Sequence, residues 1–265
     1  PFDAVGFRHG RAYEVPEGSR TSKGMNIVNL LPIEGDEKIT AMIRVSEFEE
    51  DKYLCMVTKQ GIIKRTSLCA YDTARKGGII AITLDDGDEL RWVRLTGGED
   101  ELIVATRKGM AIRFRETDAR PLGRTARGVR AIALSEERGD EVVGMSIVRA
   151  GATLLTVTET GYGRRSSFED YRLQSRAGKG ITNYRTALYG DVAAIKSVDE
   201  NDDIIMISSD GVIIRIEAET VNHLARPAKG VRVMRVSEGE KLVTLARAEH
   251  EEPQEEESEE EETQG

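Results

Sequence analysis

The chain has 265 residues, 47 Asp and Glu against 38 Lys and Arg, and a net charge of −9 at pH 7. Ten of those acids are Glu within residues 249–265, which hold no Lys or Arg, so residues 1–248 form a nearly neutral body of about +1. No apolar run approaches the ~20 residues of a membrane-spanning helix, and the two cysteines, Cys55 and Cys69, argue against a disulfide scaffold and for a reducing cytosol.

Taken in order, the chain opens on Pro1-Phe2-Asp3, which begins no signal peptide. Without an initiator Met it reads as a fragment or a processed piece. Three glycine series then run in step along it. Gly61, Gly109, Gly161 and Gly211 sit in predicted hairpin turns, with Gly10 as a weaker first member. Gly24, Gly78, Gly128, Gly180 and Gly230 close basic loops. Gly35, Gly87, Gly139, Gly190 and Gly239 are each followed by Asp or Glu. The loop glycines are spaced by 54, 50, 52 and 50 residues, the mark of a repeat architecture. Between the turns lie short β-branched and aliphatic runs. In the last unit these are residues 204–208, 212–216, 231–236 and 242–245; in the second they are 53–57, 62–65, 79–84 and 90–95. Four strands and three turns make one unit, and glycine supplies the positive φ of a tight hairpin.

The units fall at about 1–48, 49–98, 99–149, 150–200 and 201–248. They predict an all-β, propeller-like disc of about five four-stranded blades, because radial closure protects strand edges. The first unit is short: turn glycine to loop glycine is 14 residues there and 19 in each of the last three. Residues 249–265 are too acidic and too poor in apolar groups to fold, and are expected to be disordered. Such a tail is expected to compete with any polyanion for cations near the chain end.

Catalytic patterns are absent. His9, His223 and His250 are scattered, and no Cys-x-x-Cys or His-x-x-x-His spacing offers a metal site. Asp199-Glu200-Asn201-Asp202-Asp203 starts like a calcium loop, but Ile204 stands where that loop needs Gly. Gly161-Tyr162-Gly163-Arg164 lies in a hairpin and reads as a turn, not a nucleotide-binding loop. Cys55 and Cys69 read as core thiols.

Cations supply the positive signal. Each loop carries two beside glycines: Arg20 and Lys23, Arg75 and Lys76, Arg124 and Arg127, Arg176 and Lys179, Arg226 and Lys229. Phosphate recognition combines such charge with accessible backbone N–H groups. A second series follows the hairpin turns: Lys64 and Arg65, Arg113 and Arg115, Arg164 and Arg165, and Arg215. One such loop alone reads as a solvated turn; five in register predict a cationic belt that holds a nucleic-acid backbone. Aromatic residues are absent from the loops, which favours duplex DNA gripped by its phosphates over stacking on single strands.

Several stretches resemble the C-terminal domain of DNA gyrase A. They are Tyr13-Glu14-Val15-Pro16-Glu17 before Arg20-Thr21-Ser22-Lys23-Gly24, then residues 27–32, 39–43, 86–90 and 96–101, and Thr160-Gly161-Tyr162-Gly163-Arg164-Arg165. The resemblance covers residues 1 to about 248, and it implies a β-pinwheel with strand exchange between neighbouring blades. It implies binding and bending or wrapping of duplex DNA around a basic rim, in support of ATP-dependent negative supercoiling. It implies as partners the breakage–reunion domain of gyrase A and the gyrase B protein in an A2B2 holoenzyme, with ATP and Mg2+ used elsewhere and no cofactor in this chain. It also implies a bacterial cytoplasmic, nucleoid-associated setting with no membrane partner. The family's Gln-Arg-Arg-Gly-Gly-Lys-Gly box is absent; Arg176-Ala177-Gly178-Lys179-Gly180 is a degenerate relative. The family's catalytic tyrosine and ATPase site are also absent, so the chain is not an enzyme by itself. The C-terminal domain of the A-type subunit of topoisomerase IV resembles it too. A WD40-like interaction disc would need a Trp-Asp signature per blade, whereas only Trp92 exists.

Overall fold

The computed structural model describes residues 4–10, 13, 15–18, 23–31, 33, 37–75 and 77–250. Seventeen strands follow one another: β1 (Ala4–Phe7), β2 (Tyr53–Thr58), β3 (Ile62–Ser67), β4 (Ile79–Thr83), β5 (Leu90–Thr96), β6 (Glu101–Thr106), β7 (Met110–Arg115), β8 (Val129–Arg130), β9 (Val142–Ile147), β10 (Thr153–Thr158), β11 (Tyr162–Ser167), β12 (Ile181–Thr182), β13 (Val192–Val198), β14 (Asp202–Ser208), β15 (Ile213–Glu217), β16 (Val231–Arg232) and β17 (Leu242–Glu249). They form three four-stranded sheets, ordered β5-β2-β3-β8, β9-β6-β7-β12 and β13-β10-β11-β16, one three-stranded sheet, β17-β14-β15, and one pair, β1-β4. We call them blades two, three, four and five, and the first sheet.

The unit of four consecutive strands predicted from the repeats is corrected here. The first, second and fourth strands of a repeat form a blade, and the third crosses to the preceding blade. Thus β8 pairs with β3, β12 with β7 and β16 with β11, and β4 pairs with β1. This is the strand exchange of a pinwheel. The exchanged strand is short: Val231–Arg232 where residues 231–236 were expected. Among the described residues no further repeat donates a strand to β15, so blade five stops at three. Among the described residues the first unit contributes one strand, β1, and borrows β4 from the second repeat.

Strand composition follows from this stacking. Successive side chains of a strand point to opposite faces, and each middle blade is packed on both. Leu54 and Met56 of β2 enter the core facing the first sheet, while Cys55 and Val57 enter the core shared with blade three. Leu102 and Val104 of β6 complete that second core, and Ile103 and Ala105 face blade four. Runs that are apolar throughout are therefore required here. Truncating Leu54 or Leu102, both almost fully buried, to Ala would cost about 2–5 kcal/mol.

The hairpin turns of blades two, three and four share one device. Thr58, Thr106 and Thr158 are buried, and their Oγ1 atoms accept the N–H of Ile62 (3.1 Å), Met110 (3.3 Å) and Tyr162 (3.1 Å). Neighbouring blades are then stitched at the start of each inner strand. Val142 donates its N–H to the Lys59 carbonyl, Val192 to that of Arg107 and Leu242 to that of Glu159, each at 2.9 Å.

Candidate nucleic-acid interface

The basic loops of repeats three, four and five are each strapped over the outer edge of the preceding blade at three points. The root is held by the arginine that β3, β7 and β11 place at one register position. Arg65 pairs with Glu116 at 3.3 Å, in the 3-10 turn Glu116–Asp118 that begins the third repeat's loop. Arg113 donates to the carbonyls of Phe168 (2.7 Å) and Tyr171 (3.3 Å), and Arg165 to that of Val221 (2.9 Å). Their own carbonyls accept the N–H groups of Leu122 (2.8 Å), Gln174 (2.9 Å) and Leu224 (2.8 Å).

The middle of the loop is held by its own first cation. Arg176 donates to the carbonyls of Asp118 and Arg130, both at 2.9 Å. One repeat later Arg226 donates to those of Asp170 (3.1 Å) and Thr182, the matching positions. Arg124 reaches the Ile80 carbonyl at 3.5 Å. Each loop is therefore hooked onto the loop or exchanged strand before it.

At the end of the loop only glycine fits. A Cβ on Gly128 would lie 2.6 Å from the Ile63 carbonyl oxygen, on Gly180 2.3 Å from that of Ala111, and on Gly230 2.1 Å from that of Gly163. All three also have positive φ, at 108°, 73° and 80°. Backbone thus meets backbone where the exchanged strand seats.

This geometry divides the predicted cations. Within the second series Lys64, Arg65, Arg164 and Arg165 are buried, and for these four the expected place on the belt is corrected to anchor. Lys64 and Arg164 have no exposed surface, and Arg65 and Arg165 are 5 % exposed. Lys64 donates to the carbonyls of Ala81 and Arg124, and burial, then the Arg124 charge, pushes its ammonium down to about 8. Arg164 donates to Ala228 O (3.1 Å), Ser166 Oγ (2.6 Å) and the Asn183 carbonyl. Arg113 is half-buried against Glu101 (2.6 Å), and Arg215 pairs with Asp203 (2.6 Å). Arg115 and Arg215 of that series are exposed, Arg215 while paired with Asp203. A buried cation bonded to carbonyls cannot also reach a phosphate. What betrayed the anchors was β3 itself, where Lys64 and Arg65 follow two isoleucines inside a strand buried on both faces.

Of the loop cations, Lys23, Arg75, Arg127, Lys179 and Lys229 are exposed, while Arg124, Arg176 and Arg226 are the half-buried hooks. Arg20 and Lys76 lie outside the described residues. Arg127 keeps 60 % of its side chain exposed while pairing with Asp85 at 2.8 Å. Lys229 rides 4.3 Å from the Tyr162 ring centre and 5.7 Å from that of Tyr189, so aromatic rings support a loop that has none of its own. Arg232 donates to the Tyr162 hydroxyl at 2.9 Å and holds that phenol below its usual range. Exposed arginines that sequence reasoning missed flank the loops: Arg120 and Arg172 precede them, and Arg130 and Arg232 end the exchanged strands. Their spacing by whole repeats was the available signal.

Carboxylates of the acidic turns are spent elsewhere. Asp88 Oδ1 accepts the N–H of Gln60 (2.9 Å), and Asp140 Oδ1 that of Lys108 (2.8 Å), capping the hairpin turns. No group of His, Cys, Asp and Glu able to hold a metal occurs among the described residues. No helix among them is long and apolar enough to cross a membrane.

Strand-exchanged blades with one outward cation per loop define a β-pinwheel with a basic rim. The model of the DNA gyrase C-terminal domain, a beta-propeller, matches residues 11–46, 52–96, 100–149, 152–199 and 202–249, and the chain belongs to this family. It is 42% identical over 246 residues to the DNA gyrase A subunit of Staphylococcus epidermidis and 41% over 249 residues to that of Staphylococcus aureus strain MRSA252. These matches cover 91% and 92% of this chain but only 27% and 28% of those relatives. Among solved structures, the C-terminal domain of DNA topoisomerase IV superposes with a TM-score of 0.79 at 26% identity, over 85% of this chain and 71% of that one. A DNA gyrase A C-terminal domain gives 0.74 at 27%, over 89% and 76%.

Proposed function

We propose that this chain binds duplex DNA along the exposed loop cations and bends or wraps it, as the C-terminal domain of a gyrase A protein. The observation that carries this reading is the recurrence of Arg127, Lys179 and Lys229, exposed at one position per repeat on loops hooked to one another. A row of fixed cations suits an evenly charged backbone, and phosphate contacts set register without reading sequence. Within a holoenzyme of two gyrase A and two gyrase B proteins, the bound segment would be presented to the breakage–reunion domain. ATP and Mg2+ would act there and on gyrase B, and this chain would contribute no catalytic group. The topoisomerase IV domain shares the fold; the 42% relatives favour the gyrase reading.

A titration of duplex against salt tests it. Five engaged loops predict a slope of log affinity on log salt of roughly −4 or steeper, at ~0.9 per phosphate neutralised. A slope near zero, or strong dependence on base sequence, would refute the rim as the binding surface. Relaxing a plasmid with the chain bound separates wrapping from mere binding, since only a wrap leaves a change in linking number.

A further inference from the structure

One hairpin position sets blade four apart. The residue after the turn glycine is Ile62 in blade two, Met110 in blade three and Val212 in blade five, but Tyr162 in blade four. An aliphatic side chain serves the fold there, so packing does not call for a phenol. Register sets Tyr162 of β11 directly opposite Arg232 of the exchanged strand β16, as Ile62 stands opposite Arg130 in blade two.

Tyr162 is half-buried and gathers the cations of its stretch of rim. Arg232 donates to its hydroxyl at 2.9 Å, with the guanidinium carbon 5.2 Å from the ring centre, and Lys229 Nζ lies 4.3 Å from that centre. The Tyr184 hydroxyl donates to the Lys229 carbonyl and so fixes the lysine's backbone. Both cations are exposed, and neither pairs with a carboxylate among the described residues. Arg127, the counterpart of Lys229 two repeats earlier, is by contrast paired with Asp85.

A phenol has one proton to give and lone pairs to receive. Arg232 takes a lone pair of Tyr162, and no acceptor takes its proton among the described residues. The buried phenols do find acceptors inside the protein: the Tyr171 hydroxyl donates to Asn183 Oδ1 at 2.6 Å, and that of Tyr184 to the Lys229 carbonyl. At Tyr162 three donors, one neutral and two charged, surround a ring with nothing to accept them. A phosphodiester oxygen supplies both the acceptor and the opposite charge.

We propose that Tyr162, Lys229 and Arg232 form one clamp on a phosphate of duplex DNA, the Tyr162 hydroxyl donating to the phosphate oxygen, and that this gives blade four a contact that blades two, three and five lack. The clamp rests on the DNA-binding reading and deepens it. Because the phenol is neutral, its share shows in affinity and not in counter-ion release.

The test is a salt titration of duplex binding by the whole chain as wild type, Tyr162→Phe, Arg232→Gln and the two combined. Tyr162→Phe keeps the ring beneath Lys229, so its melting temperature should stay close to wild type. Its affinity should fall about tenfold at every salt concentration with the slope unchanged. Arg232→Gln should weaken binding and make the slope shallower by ~0.9. The combined variant should bind more weakly than Arg232→Gln alone, yet lose less than the product of the single losses, because both donors serve one phosphate. Tyr162→Phe with the distant Arg127→Ala should lose the full product. Wild-type affinity in Tyr162→Phe, beside a steep wild-type slope, would overturn the clamp and leave the rim reading standing. No further loss on adding Tyr162→Phe to Arg232→Gln would reduce the phenol to a holder of the arginine and overturn the donated bond. A wild-type slope near zero would overturn the clamp and the rim reading together.

Discussion

Position 64 and its counterparts show how one slot can take a cation or an aliphatic side chain. Register aligns Lys64, Ile112, Arg164 and Ile214 on the second strands of blades two to five. In blade three Ile112 packs in the apolar core; in blades two and four the cation reaches the carbonyls of the next repeat's loop instead. Arg164→Ala leaves the Ala228 and Asn183 carbonyls without this donor and opens a cavity, and should cost about 3 kcal/mol in urea unfolding. Its DNA-binding salt slope should change little under conditions where it stays folded. Lys229→Ala is the converse: a loss of at most ~1 kcal/mol from its seat on Tyr162, but a slope shallower by ~0.9. If both variants altered slope and stability alike, the division into anchors and contacts would be wrong.

At the scale of the element, glycine decides where a strand can be exchanged. Gly61, Gly109 and Gly161 face the neighbouring repeat, with a Cβ meeting the carbonyl oxygens of Ile132 (3.1 Å), Tyr184 (2.2 Å) and Met234 (2.1 Å). Gly211, at the same turn in blade five, meets nothing within 4 Å, and Ile213 beside it is 63 % exposed. Gly230→Ala should therefore unseat β16 and cost well over the ~1 kcal/mol of positive φ alone, whereas Gly211→Ala should cost only that. Urea unfolding of the pair checks it; equal losses would mean that backbone strain, not exchange, fixes these glycines. Hairpins, their glycines and the loop period were legible because turn chemistry is local. Exchange was legible only through the family resemblance, since Val129–Arg130 by itself reads the same whether it pairs with its own repeat or with Ile62–Ile63 of the one before. The anchors were hidden for a related reason: Arg65, Arg113 and Arg165 find their partners about fifty residues on, in a turn whose position depends on that exchange. The exposed cations Lys179 and Lys229 were legible because glycine-flanked basic loops rarely bury their charge.

Over the whole molecule, stacking blades on both faces puts ionisable groups between them, and this sets how stability depends on pH. Lys64 and Lys196 are held at about 8 by burial, against 10.5 for a free lysine. Below pH 8 both the folded and the unfolded chain hold these protons, and the penalty is present in full. From about pH 8 to 10.5 the folded chain sheds protons that the unfolded chain keeps, so stability rises with pH. Three buried acids oppose this at higher pH. Burial raises Cys55, Tyr71 and Tyr184 to about 12, from 9.0 for the thiol and 10.0 for the phenols. The unfolded chain releases their protons first, so stability falls above pH 9 for the thiol and above pH 10 for the phenols. The sum is a stability maximum on the alkaline side of neutrality, between about pH 9 and 10. Urea unfolding in phosphate-free buffer at pH 7.5, 8.5, 9.5 and 11 should rise and then turn over. A variant carrying Lys64→Met and Lys196→Met should lose the rise and keep only the fall. A wild-type curve that declines steadily from pH 7.5 would mean that the two ammonium groups are not held down between the blades.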